Sequence, residues 1–217
     1  MRTSLWLSWA RLALVCGILA GCFGAYQTSP DNVRGAGGLT PSQEDKDAGR
    51  VGVAAGFDLK GYRVVLVERF PVATSEIEDE GDQRFADKMA AFYQQELLRR
   101  LRESKLFSQV KPLPGSGRLA GKTLVLRGSI TRLGRGSQAM RYFVGFGAGS
   151  TRAQAEMHFV DAESGRVLLV TADRRLGSAG MFGGDDEDFL EESFDDMARD
   201  LVKFLVRLSR GEAPGKD

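Results

Sequence analysis

The sequence predicts a single α/β domain: a two-layer sandwich in which a mixed sheet of about five strands carries two amphipathic helices on one face. A signal peptide and a flexible tether precede it. Three observations lead there. Two long stretches, about Gln83 to Ser104 and from Asp185 or Asp186 to about Ser209, repeat apolar residues at three- and four-residue steps, the period of a helix with one buried side. Between them, Ala153, Ala155, Met157 and Phe159 alternate with Gln154, Glu156 and His158, the period of a half-buried strand. The elements follow one another as β-α-β-β-β-β-β-α, an order that suits helices laid on a sheet.

The chain opens with Arg2, a short apolar run from Leu12 to Ala20, and Leu19-Ala20-Gly21-Cys22. A basic start, an apolar centre and small residues before a cut form an export signal. The run is too short to span a bilayer, which takes about 20 residues. A cysteine at its end is the mark of a lipoprotein signal: the thiol takes a diacylglycerol and the chain is cut just before it. Residues 1–21 are therefore expected to be removed, leaving Cys22 as the lipidated amino terminus. Two or more acyl chains hold a protein stably on a membrane, where one is marginal. Residues 22–58 are rich in Gly, Ser, Pro, Asp and Gln without apolar period, and are expected to form a disordered tether with an end-to-end distance of roughly 30–35 Å.

Residues 59–210 are expected to form the domain. Tyr62 to Val67 reads as a strand buried on both faces, because four consecutive apolar residues close it. The first helix follows an acidic loop, with Asp82 as the expected cap. Phe85, Met89, Phe92, Tyr93, Leu97 and Leu101 form its apolar side, and Arg99, Arg100 and Arg102 sit in its last turn, where the helix dipole favours cations. Strands are expected at Phe107–Leu113, Thr123–Leu133, Ala139–Val144, Ala153–Phe159 and Val167–Ala172, with a hairpin loop at Asp161–Gly165. Leu190, Phe194, Met197, Leu201, Leu205 and Leu208 line the second helix, which Gly211 ends. Residues 211–217 are expected to be a disordered tail.

Charge and cysteine count exclude several classes. Loss of Arg2 and Arg11 with the signal leaves 28 basic against 29 acidic residues, a net charge of −1. A near-neutral domain lacks the cationic excess that phosphate contacts require, so no nucleic acid is expected as a partner. Cys16 leaves with the signal, so the mature chain holds one cysteine and cannot form an internal disulfide. Phe23, rather than an Asp, follows Cys22 and favours the outer membrane over inner-membrane retention.

Candidate chemistry is sparse. Gly145-Phe146-Gly147-Ala148-Gly149 has the glycine density of a phosphate loop, but lacks a following Lys-Ser/Thr and leads into a strand rather than a helix. Its alternatives are a bend that lets backbones pack closely and an interaction tip built on Phe143 and Phe146. Phe182 in Gly180-Met181-Phe182-Gly183 would make a second aromatic tip. Arg141, adjacent to Tyr142, is expected to pair with an acid such as Asp161 or to face a partner. His158, the one histidine, lies two residues from Glu156 on the same strand side, and the pair invites a metal or proton-transfer reading. A metal site usually needs three or four ligands, and a solvent-facing strand histidine is the plainer account. The acids from Asp185 to Asp196 lack calcium-loop spacing and suit a helix N-terminus with a solvated side. There is no Gly-x-Ser-x-Gly elbow.

The stretch from Gly136 to Ser150, with Asp161 and Gly165 in the following strand-turn-strand, resembles a bacterial lipoprotein family called domain of unknown function 4410. The resemblance covers roughly residues 60–208 and is sharpest from Arg141 to Ser150. It implies an envelope lipoprotein without an assigned activity. The expectation is a non-catalytic lipid-anchored protein without cofactors, attached to the periplasmic face of the outer membrane. It would bind another envelope component or itself through Arg141, Tyr142, Phe143, Gly145, Phe146, Gly147, Gly149 and Phe182. The alternative is an envelope enzyme with a carboxylate and histidine site near His158.

Overall fold

The computed structural model describes residues 25–115, 119–135, 151–177 and 186–216. Within them, eight strands form one mixed sheet: β1 (Ala25–Thr28), β2 (Gln43–Asp45), β3 (Gly49–Val53), β4 (Val64–Val67), β5 (Gln109–Pro112), β6 (Thr123–Gly134), β7 (Thr151–Asp161) and β8 (Val167–Gly177). The order is β2-β3-β8-β7-β6-β4-β5. Strand β4 runs parallel to both β5 and β6, and the other pairings are antiparallel. Two helices, α1 (Glu80–Ser104) and α2 (Asp186–Ser209), complete the domain.

The sheet exceeds the expected five strands because residues 25–58 are not a free tether. Strands β1 and β3 share one flank of β8: Ala25 to Thr28 lie opposite Gly177 to Arg174, and Val51 to Val53 lie opposite Thr171 to Leu169. Between them the chain crosses the sheet side away from the helices. Asp31 N–H donates to Gln154 Oε1 at 2.8 Å, Gln154 Nε2 returns a bond to Asp31 O at 2.8 Å, and Arg34 N–H donates to Glu156 Oε2 at 3.1 Å. Gly37, at φ +56°, lies so close to Val167 that a Cβ would fall 2.5 Å from its Cγ2.

The core follows the alternation of the strands. Val65, Val67, Leu124, Leu126, Ala155, Met157, Phe159 and Leu169 face the helices and are buried with Met89, Tyr93, Leu97, Phe194, Leu201 and Phe204. Full burial of such a side chain contributes about 1.5–3 kcal/mol. Tyr93 sits at the centre, edge-on to Phe70 at 5.5 Å and tilted against Phe194 at 4.9 Å, with its hydroxyl 3.2 Å from Met157 Sδ. A smaller cluster of Val64, Leu66, Val125 and Val160 lies on the other side of the sheet, so β4 is buried on both faces as its sequence predicts.

Helix α1 begins three residues before the expected Gln83. Its cap is Asp79, whose Oδ1 accepts from Asp82 N–H at 2.8 Å; Asp82 Oδ2 in turn accepts from Glu78 N–H at 3.1 Å. This is a reciprocal capping arrangement in which the expected cap serves as the third helical residue. The helices run side by side and parallel, since Lys88 pairs with Glu187 and Glu191 near their starts while Arg99 and Arg100 grip Asp195 further along. Arg99 and Arg100 thus join two helices rather than only complementing a dipole.

The two end strands of the sheet path are covered. Gln109 N–H and Leu113 N–H donate toward β4, so the backbone groups of Val110 and Pro112 face the outer edge, while the Val110 side chain stays in the core. Pro112 has no N–H to offer, and Arg102 donates to Val110 O from Nε at 3.3 Å and Nη2 at 3.2 Å. At the other end, the tail expected to be disordered lies along β2. Gln43 Nε2 donates to Pro214 O at 2.7 Å, Lys46 N–H donates to Gly215 O at 3.0 Å, and Gly215 N–H donates to Asp45 Oδ2 at 3.2 Å. Arg207 holds the same carboxylate at 2.7 and 2.8 Å. Burial works to raise the Asp45 pKa, but Arg207 and the backbone N–H groups of Ala48, Asp47 and Gly215 bring it below the ordinary value.

Candidate functional site

The ends of several elements converge at one end of the sheet. Ala25 lies opposite Gly177, Gly177 opposite Thr151, and Arg152 opposite Gly134. A Cβ on Gly177 would stand 3.5 Å from that of Phe189, which brings the first turns of α2 to the same place. Arg135 pairs with Asp82 at 3.0 Å and lies over the Phe85 ring at 4.2 Å, which adds the start of α1. Thus the start of β1 and the chain ends bordering residues 136–150 and 178–185 meet at this end. The residues singled out there from sequence, Arg141, Tyr142, Phe143, Gly145, Phe146, Gly147, Gly149 and Phe182, lie outside the described residues, as do Cys22 and the expected strand Ala139–Val144.

Beneath this end a buried ion cluster locks β1 to the rest. Asp173 and Arg175 point to the helix side of β8, 1% and 5% exposed. Arg175 Nη2 donates to Asp173 Oδ2 at 2.8 Å and to Asp200 Oδ2, from α2, at 2.9 Å. Lys203 donates to the other oxygen of Asp200 at 2.8 Å. Gln27, from β1, donates to Asp173 Oδ1 at 3.0 Å and to Asp47 O at 2.9 Å. Burial pushes the Asp173 carboxyl up against the pull of Arg175. Burial acts in the same sense on Asp200, but Lys203, Arg175 and Arg199 outweigh it and hold that carboxyl low. Sequence reasoning missed this cluster because Asp173-Arg174-Arg175 reads as a polar strand end. The one signal available was the two-residue spacing of Asp173 and Arg175, which puts both side chains on the same side of a strand.

Glu156 and His158 lie on the side of the sheet away from the helices, as the alternation predicts. Both are half-buried. Glu156 accepts from Arg34 N–H, and burial, opposed by that bond, raises its pKa. His158 lies directly opposite Arg127, which binds Glu68 at 2.8 Å. Burial and then the Arg127 charge lower the His158 pKa, so the imidazole favours its neutral form. No group of three or more potential ligands capable of holding a metal occurs among the described residues.

Asp161 lies at the opposite end of the sheet. Its Oδ2 accepts from the Tyr62 hydroxyl at 2.6 Å, and its Oδ1 accepts from Ser164 N–H at 2.8 Å and Ser164 Oγ at 2.9 Å. The Tyr62 and Ser164 donors hold its pKa far below the usual carboxylate range. Four acids of α2 are committed as well: Glu187 and Glu191 to Lys88, Asp195 to Arg99 and Arg100, and Asp196 to Arg199. A cleft of about 530 Å³ opens over Arg100, Arg199, Lys203, Arg207 and Arg210. The first four of these cations already hold carboxylates within the chain.

The fold and these contacts define a class: a two-layer α/β sandwich whose buried charges fasten its first strand and its last residues to the sheet. The chain belongs to the family described as a domain of unknown function, DUF4410, whose profile matches residues 58–180. The match takes in β4 to β8 and α1, and leaves out β1 to β3 and all of α2. No curated protein matches the sequence. Among solved structures, the chain is similar to the PelC dodecamer from Paraburkholderia phytofirmans, at 13% identity and TM-score 0.45 over 70% of this chain and 95% of that one. It is similar to a DUF330 protein from Xanthomonas campestris, at 11% identity and TM-score 0.46 over 73% and 91% of the two chains. A minor lipoprotein from Acinetobacter baumannii matches at 12% identity and TM-score 0.34 over 69% and 94%.

Proposed function

We propose that this protein is a non-catalytic, lipid-anchored protein of the bacterial cell envelope, held on the periplasmic face of the outer membrane, where it binds or helps assemble another envelope component or further copies of itself. The observation that carries the reading is Leu19-Ala20-Gly21-Cys22 closing a short apolar run behind a basic start. Phe23 in place of Asp supports the outer membrane. The binding role is supported by Phe143, Phe146 and Phe182, aromatics set among glycines and therefore suited to an interaction tip. Among the described residues, no helix is long and apolar enough to cross a membrane. Attachment in this reading comes from the lipid.

Metabolic labelling with a clickable fatty acid tests the anchor. The native chain is expected to label and to fractionate with membranes, and Cys22→Ala to do neither. A Cys22→Ala form that still labels overturns the anchor. Crosslinking in the native envelope tests the binding role: Phe146→Ala with Phe182→Ala is expected to lower the yield of a defined crosslinked species without lowering the melting temperature. An unchanged yield counts against those residues as the contact.

A further inference from the structure

Accepting the Cys22 anchor just proposed, we infer that the domain stands directly on the membrane without a tether, with the end formed by Ala25, Gly134, Thr151 and Gly177 turned toward the lipid and the Asp161–Arg166 hairpin turned away. Three peptide units separate Cys22 from Ala25. Fully extended, they reach about 10–11 Å. Ala25 is the first residue of β1, which pairs with β8 over four residues and is pinned from its own side chain by Gln27 on Asp173 and Asp47. The first residue of β1 is therefore both close along the chain to the acylated sulfur and fastened to the body of the domain. A strand so placed transmits orientation, where a coil of 35 residues would not.

The geometry of the sheet makes the two ends distinguishable. β7 has 11 residues. At about 3.3 Å per residue it spans roughly 36 Å. Thr151 stands at the membrane end and Asp161 at the other, so the far hairpin is held well beyond the headgroup layer. Among the described residues the charges at the near end are mixed. Arg135 is paired with Asp82 and Arg174 with Asp31, while acids begin α2. The approach is set by the short covalent lead.

The test uses the full lipidated protein in phosphatidylcholine vesicles containing a nitroxide-headgroup lipid. Cys22 is occupied by lipid, so a single added cysteine takes a fluorophore cleanly. Two exposed positions serve: Arg152→Cys at the near end and Glu163→Cys on the far hairpin. Quenching is expected to be several-fold stronger at position 152 than at position 163. A flexible insert of about 30 Gly and Ser residues between Gly24 and Ala25, with an end-to-end reach of roughly 30 Å, is expected to abolish the contrast. Equal quenching at the two positions, or a contrast that survives the insert, overturns the orientation. Mass spectrometry of the same material reports separately on the anchor: an unmodified Cys22 removes the reading on which this inference rests, whereas a lipidated Cys22 with equal quenching removes the inference alone.

Discussion

Gln27 Nε2 lies 3.0 Å from Asp173 Oδ1, so a side chain five residues after Cys22 completes the coordination of a buried carboxylate in the middle of the longest hairpin. The first strand is thereby made part of the core charge balance: Asp173 needs Gln27 and Arg175, Arg175 needs Asp200, and Asp200 lies on the last helix. The amino-terminal strand, the hairpin and α2 are joined through four side chains.

Removing one partner of this set should cost more than removing its neutral donor. Asp173→Ala leaves the Arg175 guanidinium buried with one carboxylate fewer, a loss expected to destabilise the domain by about 3–5 kcal/mol. Gln27→Ala removes one bond to that carboxylate and should cost about 1–3 kcal/mol. Urea unfolding gives both values. Hydrogen exchange should show Gln27→Ala accelerating the amides of residues 25–28 ahead of those in β7.

The Tyr62–Asp161 bond at 2.6 Å predicts a pH dependence. The folded-state pKa of Asp161 is depressed, so its contribution is complete above the ordinary carboxylate value and is lost as the pH falls below about 4. Asp161→Asn should flatten the acid limb of the stability curve. Tyr62→Phe should cost about 1.5–3 kcal/mol at neutral pH, the scale of a hydrogen bond to a charged group. Thermal melts at a series of pH values check both.

His158 is the one histidine, so its ring protons give an unambiguous NMR titration. Burial and Arg127 lower its pKa in the folded chain. The midpoint should fall below the ordinary value of about 6.5. Because the folded pKa lies below the unfolded one, the contribution is present above about pH 6.5 and is lost as the pH falls through the window beneath it. Arg127→Gln should move the midpoint upward.

Phe194 couples the helices through Tyr93, with ring centres 4.9 Å apart and no exposed surface on either side chain. Phe194→Ala should destabilise by about 3–5 kcal/mol, combining lost transfer energy with the cavity left beside Tyr93. Lys88→Ala, which breaks solvent-screened pairs on the same pair of helices, should leave the urea midpoint close to that of the native chain. The contrast, read from urea midpoints, separates packing from surface charge as the source of cohesion.

The parts of the fold legible in the sequence are those whose burial is written in a local period. Val64 to Val67, the alternation from Ala153 to Phe159 and the apolar sides of both helices all announce themselves within a few residues. β1 to β3 do not. Ala25–Thr28, Gln43–Asp45 and Gly49–Val53 are short; the first and third become strands because β8 offers them a backbone to pair with, and the second because β3, once placed, does the same. Lys216, through Glu44 at 2.5 Å, and Gly215 are held by contacts with residues about 170 positions away, which no local pattern reveals. β8 was expected to end at Ala172 and continues to Gly177 because Asp173 and Arg175 neutralise one another within the core. Of the candidate site, His158 and Glu156 were placed correctly on the outward side of β7, whereas the ion cluster needed the tertiary fold to become visible.

The seals on β2 and β5 constrain how copies of this molecule can associate. Pro112, Arg102 and residues 214–216 occupy the places where a foreign backbone would dock on those two strands, so open-ended stacking that leads to fibres is blocked there. Self-association would have to use surfaces other than the outer edges of these two strands. Displacing Pro214 and Gly215 from Gln43 and Asp45 would reopen the outer side of β2 to a foreign backbone.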